Sequence, residues 1–191
     1  MKQLVLGALL IFQYAQTEVL SEILNNKQKC TPLFPSENNI TETIINLINE
    51  EQKSIKLAIY FLTDWSIGQA LVNAHIRGIK VTIITDHSSA KDTQFSKIKK
   101  LAKEDINVYS YESTKDGLMH NKFMILKQNY QNKTILLTGS FNFTHSAQSK
   151  NMENVIIIRD SKVAKIYSNY FKKLKKECTK VKSTKRKRNA Q

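Results

Sequence analysis

Cysteine, proline and glycine are scarce in this chain: its 191 residues include two Cys, two Pro and five Gly. Two cysteines cannot build a disulfide scaffold, and no Cys/His grouping has the spacing of a zinc site. The glycines form no Gly-rich phosphate loop. No internal repeat is present, so any motif occurs once. Long hydrophobic runs are missing too, and the apolar stretch Leu4 to Phe12 is too short to cross a bilayer. Acidic residues number 16 against 30 Lys and Arg, a net charge of +14, which points to anionic partners, either nucleic acid or a membrane surface.

The charge is unevenly spread. From Lys162 onward there are 12 basic residues against one acid, Glu177, whereas residues 1 to 161 carry 18 basic and 15 acidic. The basicity is therefore largely C-terminal, and residues 179–191 read as a basic disordered tail, either a solubilising end or an arm for polyanions or anionic membranes. At the other end, Lys2 and the run Leu4 to Phe12 have the form of a signal peptide over residues 1–16, implying export to a periplasm or the medium; an uncleaved membrane anchor is the alternative. Cys30 and Cys178 are compatible with a disulfide in an oxidising compartment or with two free thiols. Residues 17–35, with Pro32 and Pro35, read as a linker, and 36–178 as one domain, large enough to bury its own core.

Within that domain strands and helices alternate. Ile40, Ile44, Leu47 and Ile48 recur at helical spacing, with Ser36 or Asn38 as candidate cap. A dense apolar run, Ser54 to Leu62, is of strand length. Ile67, Ala70, Leu71 and Ala74 mark a second helix ending at Gly78. Strands are expected over Ile79 to Thr85 and Ile106 to Tyr111, with a lysine-covered helix carrying Phe95, Ile98 and Leu101 between them. The His120 strand, a hairpin partner over Thr134 to Thr138, a strand over Asn154 to Arg159 and a helix with Val163, Ile166, Tyr167, Tyr170 and Leu174 complete the order. This is an α/β domain with a mixed, mainly parallel sheet covered by helices on both faces.

The chemistry concentrates in two short runs. His120 and Lys122 sit two apart on a strand and project to one face. If Gly139-Ser140-Phe141-Asn142-Phe143-Thr144 follows as the hairpin partner, Ser140 and Asn142 arrive beside them. A proton carrier or nucleophile, a cation, a hydroxyl and an amide suit a phosphoryl group: the lysine and amide hold its oxygens while the imidazole attacks phosphorus or protonates the leaving oxygen. His75 and His87 read as ordinary polar residues, and His145 as a helix-start contact.

These residues resemble the signature of the phospholipase D superfamily, His-x-Lys-x4-Asp followed by Gly-Ser-x-Asn, in the form carried by its small bacterial endonucleases. The likeness extends over roughly residues 34 to 177 and includes Glu153-Asn154 opening the apolar run Val155 to Ile158. It implies a phosphodiesterase that needs no metal or cofactor, with His120, Lys122 and Glu153 catalytic and Lys122, Ser140 and Asn142 holding phosphate. Glu153 would fix His120 through its ring nitrogen. Because in-line displacement needs a second histidine and the motif occurs once, a homodimer with a composite site is implied. Nucleic acid is the expected substrate, phospholipid the alternative. One departure stands out: Lys127 occupies the place of the motif's aspartate, which in the family supports the strand. A non-catalytic polyanion-binding protein would explain that loss, but the intact His120, Lys122, Ser140, Asn142 and Glu153 argue against it.

Overall fold

A computed structural model describes residues 29–92, 94–112 and 117–182. The expected signal peptide, most of the linker and residues 183–191 of the tail lie outside the described residues. Among the described residues, no helix is long and apolar enough to cross a membrane.

The strands are β1 (Cys30–Leu33), β2 (Ser54–Ile59), β3 (Lys80–Asp86), β4 (Asn107–Tyr111), β5 (Lys122–Leu126), β6 (Ile135–Gly139), β7 (Val155–Ile158) and β8 (Cys178–Lys180). The helices are α1 (Ile40–Glu50), α2 (Trp65–Ile76), α3 (His87–Lys91), α4 (Ile98–Lys103), α5 (His145–Ser149) and α6 (Ser161–Lys176). All eight strands form one sheet in the order β1-β7-β6-β5-β2-β3-β4-β8.

The sheet is mixed, as expected, but its balance is antiparallel. Only β2–β3 and β3–β4 pair in parallel, while the other five contacts are antiparallel. The reason lies in the connections. A helical crossover returns the chain parallel to itself, and such crossovers join neighbouring strands only at β2–β3 and β3–β4. From β4 to β7 the chain runs through loops and a hairpin, which reverse it at each step, and the crossover through α6 carries β8 to the far edge, antiparallel to β4.

Alternation within strands sorts two cores. Ile55, Leu57, Ile59, Met124, Leu126 and Leu137 face the larger one, closed by α1 to α5. Ala58, Ile84, Phe123, Ile125 and Leu136 face the smaller one, which α6 covers with Ala164, Phe171 and Leu174. Helices thus lie on both faces, one long helix sufficing for the second.

Both domain limits move outward. β1 falls within the expected linker, where Cys30 to Leu33 pair with Ile158 to Val155; Pro32 is tolerated because β1 is an edge. At the other end β8 pairs with β4, and Val181 donates its N–H to the Val108 carbonyl at 2.9 Å, so the expected tail begins inside the sheet. Runs of three or four residues between polar neighbours carry no periodicity from which to read them. Cys30 and Cys178 therefore occupy opposite edges of the sheet, and both are free thiols. Seven spacings of about 4.8 Å separate them by about 33 Å, far beyond the reach of a disulfide.

Locally the caps follow side-chain chemistry. The first helix is capped by Asn39, not by Ser36 or Asn38: its side chain accepts from the Glu42 N–H. Gly78 adopts φ +88° at the end of α2, as its place in the sequence predicts.

Candidate active site

β5 begins at Lys122, opposite Ile59 of β2, so the segment before β5 meets the segment after β2 at one end of the sheet. His120 is exposed there and Lys122 half-buried. The Lys122 Nζ lies 2.9 Å from His120 Nδ1 and 3.1 Å from Nε2, and donates to the His120 carbonyl at 2.8 Å. The ammonium and imidazole thus address a single point, where an arriving phosphate oxygen can replace the ring as the ammonium's acceptor. Tyr60 floors this pair: its ring is 4.6 Å from that of His120, and Lys122 Nζ is 5.2 Å from its centroid. Partial burial pulls Lys122 below the ordinary lysine pKa, with the charge of Glu153 opposing the shift.

Asn142 joins from the segment after β6. Its Oδ1 accepts from the Phe61 N–H at 3.2 Å, and Phe143 in turn donates to the Phe61 carbonyl at 3.0 Å. With its oxygen committed, the amide NH2 remains as a donor for a phosphate oxygen. The turn between Gly139 and Phe143 has little freedom. A Cβ on Gly139 would stand 2.1 Å from the Asn154 carbonyl oxygen, so only glycine admits the close approach of β6 to the start of β7.

Ser140 and Glu153 behave differently from their expected roles. The Ser140 hydroxyl donates to Glu153 Oε2 and accepts from the Asn154 N–H at 3.1 Å. Its one proton is spent on the carboxylate instead of a phosphate. Glu153 also accepts from Asn151 Nδ2 at 3.1 Å. Its hydrogen bonds therefore fix Ser140 and the β6–β7 turn, and the contact with the His120 ring expected from the sequence is not formed within one chain. Its charge still reaches Lys122.

Asp86, which sequence reasoning missed, sits at the end of β3 and is 1 % exposed. One oxygen caps α3 through the Ser88 N–H at 2.9 Å, and the other accepts from the Met119 N–H at 2.9 Å. It thus holds the residue before His120. The signal was present: an acid ending an otherwise apolar strand must find donors if it is buried. The remaining histidines lie apart. His87 faces Glu112 at 3.7 Å, His75 is on α2, and His145 opens α5, capped by Thr144, with its ring against Ser149. Among the described residues, no group of three or more His, Cys, Asp or Glu could hold a metal ion.

Lys127 lies at the far end of β5, five residues from Lys122. A different acid, Glu51, braces the backbone at that end of the strand. This carboxylate is fully buried and accepts from the N–H groups of Lys53, Ser54 and Gln128, each at 2.9 Å, tying the starts of β2 and of the β5–β6 connection together.

An exposed imidazole beside a half-buried ammonium is the equipment of a phosphodiesterase, and the comparisons agree. A model of the family described as cardiolipin synthase, PLD-like domain, matches residues 44–175. A protein named phospholipase D from Rickettsia conorii is 37% identical over 168 residues, 87% of this chain and 76% of its own. A mitochondrial cardiolipin hydrolase from Xenopus tropicalis is 28% identical over 167 residues, again 87% and 76%. Among solved structures, NucT from Helicobacter pylori has a TM-score of 0.71 and 26% identity, covering 80% of this chain and 99% of its own. The phospholipase D family member Nuc from Salmonella typhimurium has the same TM-score at 24% identity, covering 81% and 98%, a likeness of fold. The chain belongs to the phospholipase D superfamily and is a phosphodiesterase of that class.

Proposed function

We propose that the chain hydrolyses phosphodiesters of nucleic acid, as an endonuclease without sequence preference, through a phosphohistidine on His120. Neutral His120 attacks phosphorus, a P–N bond forms and the P–O bond to the leaving alcohol breaks. Attack and departure lie on opposite sides, so the proton for the leaving oxygen comes from a second imidazole, the protonated His120 of a second copy across a two-fold axis. Water then attacks the phosphohistidine, giving its proton to that second imidazole, and the P–N bond breaks. Lys122 and Asn142 of each copy hold the non-bridging oxygens, two ammonium groups supplying the charge a cation would otherwise bring. Export through the N-terminal apolar segment belongs to the same proposal.

The observation that supports nucleic acid is the charge: the net +14, with 12 of the 30 basic residues lying from Lys162 onward, suits an extended polyanion. His120 itself opens to solvent. A second reading, phospholipid hydrolysis, is supported by the names of the relatives and by two exposed apolar side chains close in sequence to His120 and Glu153, Leu118 (56 % exposed) and Met152 (97 % exposed).

The test offers the protein single- and double-stranded DNA, RNA, and phosphatidylcholine or cardiolipin vesicles, all in chelator. Cleaved nucleic acid is expected, with acid-labile phosphate trapped on wild type. His120→Ala should lack that adduct and retain less than about a thousandth of the activity, since acid–base catalysis alone contributes roughly a hundred- to ten-thousand-fold. Lipid cleavage with nucleic acid left intact would overturn the first reading in favour of the second.

A further inference from the structure

A cleft of about 680 Å³ opens between α6 and the end of the sheet formed by the start of β2 and the end of β5. Six lysines line it: Lys53, Lys56, Lys127, Lys162, Lys165 and Lys172, with no acidic residue among the lining. The nearby carboxylates are already engaged. Glu51 is buried among backbone N–H groups, and Asp160 caps α6 while pairing with Lys29 at 3.4 Å. The crowding is felt within the cluster. Lys56 is pulled below the ordinary lysine pKa first by burial, then by the charges of Lys172, Lys127 and Lys80. Its Nζ donates to Ser168 Oγ at 2.6 Å, which holds it at the cleft wall. Like charges gathered in a concavity are unfavourable without a counter-charge.

We propose that this cleft is a second binding site, separate from His120, for the phosphate backbone of a nucleic-acid strand. Lys127 lies five residues along β5 from Lys122, about 17 Å at strand spacing. Ile125 and Lys56 project to the α6 face, whereas Lys122 shares the parity of Met124 and Leu126 on the other face. The cleft therefore cannot touch the phosphate being cut and holds a different stretch of the same polymer. Lys127, standing where the motif has an acid, converts a strand end into part of this surface.

A strand suits the cleft better than a membrane does. The wall is recessed and adds hydrogen-bond donors from Ser161 and Asn169. Its apolar contribution is limited to Ile125 and Ala164, both buried, so nothing there can enter a bilayer. The exposed Ile166 shares a helix flank with Tyr170, four residues on, which contacts Asn121 on the side toward the active site.

The inference rests on nucleic acid being the substrate, and its test is kept apart from cleavage by using full-length His120→Ala protein. Binding of a duplex DNA oligonucleotide is measured against salt for three proteins: the parent, the cleft triple Lys53→Gln/Lys127→Gln/Lys172→Gln, and an equally charged control, Lys91→Gln/Lys99→Gln/Lys103→Gln, on α3 and α4. The expected result is a log–log salt slope smaller by about two to three for the cleft triple, at about 0.9 per lost phosphate contact, with the control changing by less than about one. The melting temperature of the cleft triple should equal or exceed the parent's, because repulsion is relieved. Lys127→Asp, whose position contributes only its backbone N–H and carbonyl to the fold, should weaken DNA binding more than Lys127→Gln. Equal slope losses in the two triples would overturn the site in favour of diffuse charge. Unchanged DNA binding with release from cardiolipin vesicles would overturn it in favour of a membrane surface. Cleavage failing in wild type while the cleft triple still loses DNA binding would sink the nuclease reading alone.

Discussion

Lys122, in the pair proposed to be catalytic, carries its positive charge in surroundings that disfavour charge. Because burial lowers its pKa, it loses its proton at a lower pH than a free lysine, and phosphate binding needs the protonated form. Activity should therefore fall as pH rises through a value below the ordinary 10.5, and Lys122→Arg, whose guanidinium stays charged, should move that alkaline limb upward while lowering kcat. A pH–rate profile checks this; an unmoved limb would assign the titration to another group. Stability follows the opposite sign. The unfolded chain holds the lysine proton more tightly, so the penalty for burying the charge is present below the lowered pKa and is relieved as pH rises through it. The closeness of His120 and Lys122 was legible from their spacing alone. Asp86 and Tyr60 were not, because they reach the site from β3 and β2, and only the folded sheet brings those strand ends beside His120.

At the scale of elements, α1, α2 and α6 could be read from the sequence because their apolar residues recur at helical spacing over two turns or more. Phe95 misled: it is exposed, lies before α4 and belongs to no buried stripe. The direction of the later strands was also hidden, since an apolar run such as Val155 to Ile158 reads the same in either orientation. Glu51 shows how the junctions are held. It ends α1 and gathers the N–H groups that start β2 and follow β5, so Glu51→Gln would set an amide NH2 among donors that need an acceptor. The expected cost is about 3 kcal/mol, measured by urea denaturation. A loss below about 1 kcal/mol would mean that water or a rearranged turn replaces the carboxylate.

For the whole molecule, the two cysteines report the width of the sheet. Protein from an oxidising compartment should keep two thiols per chain and show no change of mass on reduction. Cys30 is exposed and should react first. Cys178, its thiol pushed up to about 11 chiefly by burial and hydrogen-bonded to the Leu174 carbonyl at 3.1 Å, should react slowly until the chain unfolds. A Cys30–Cys178 linked peptide would contradict the strand order. The sheet's outermost strands carry a further consequence for assembly. A second copy seeking to prolong the sheet would find, along β1, a position at Pro32 with no hydrogen to offer, and along β8 a ledge only three residues long. Both flanks are thus poor templates for runaway strand addition, so the two-fold pairing proposed above for His120 would meet little competition from edge-to-edge joining of sheets.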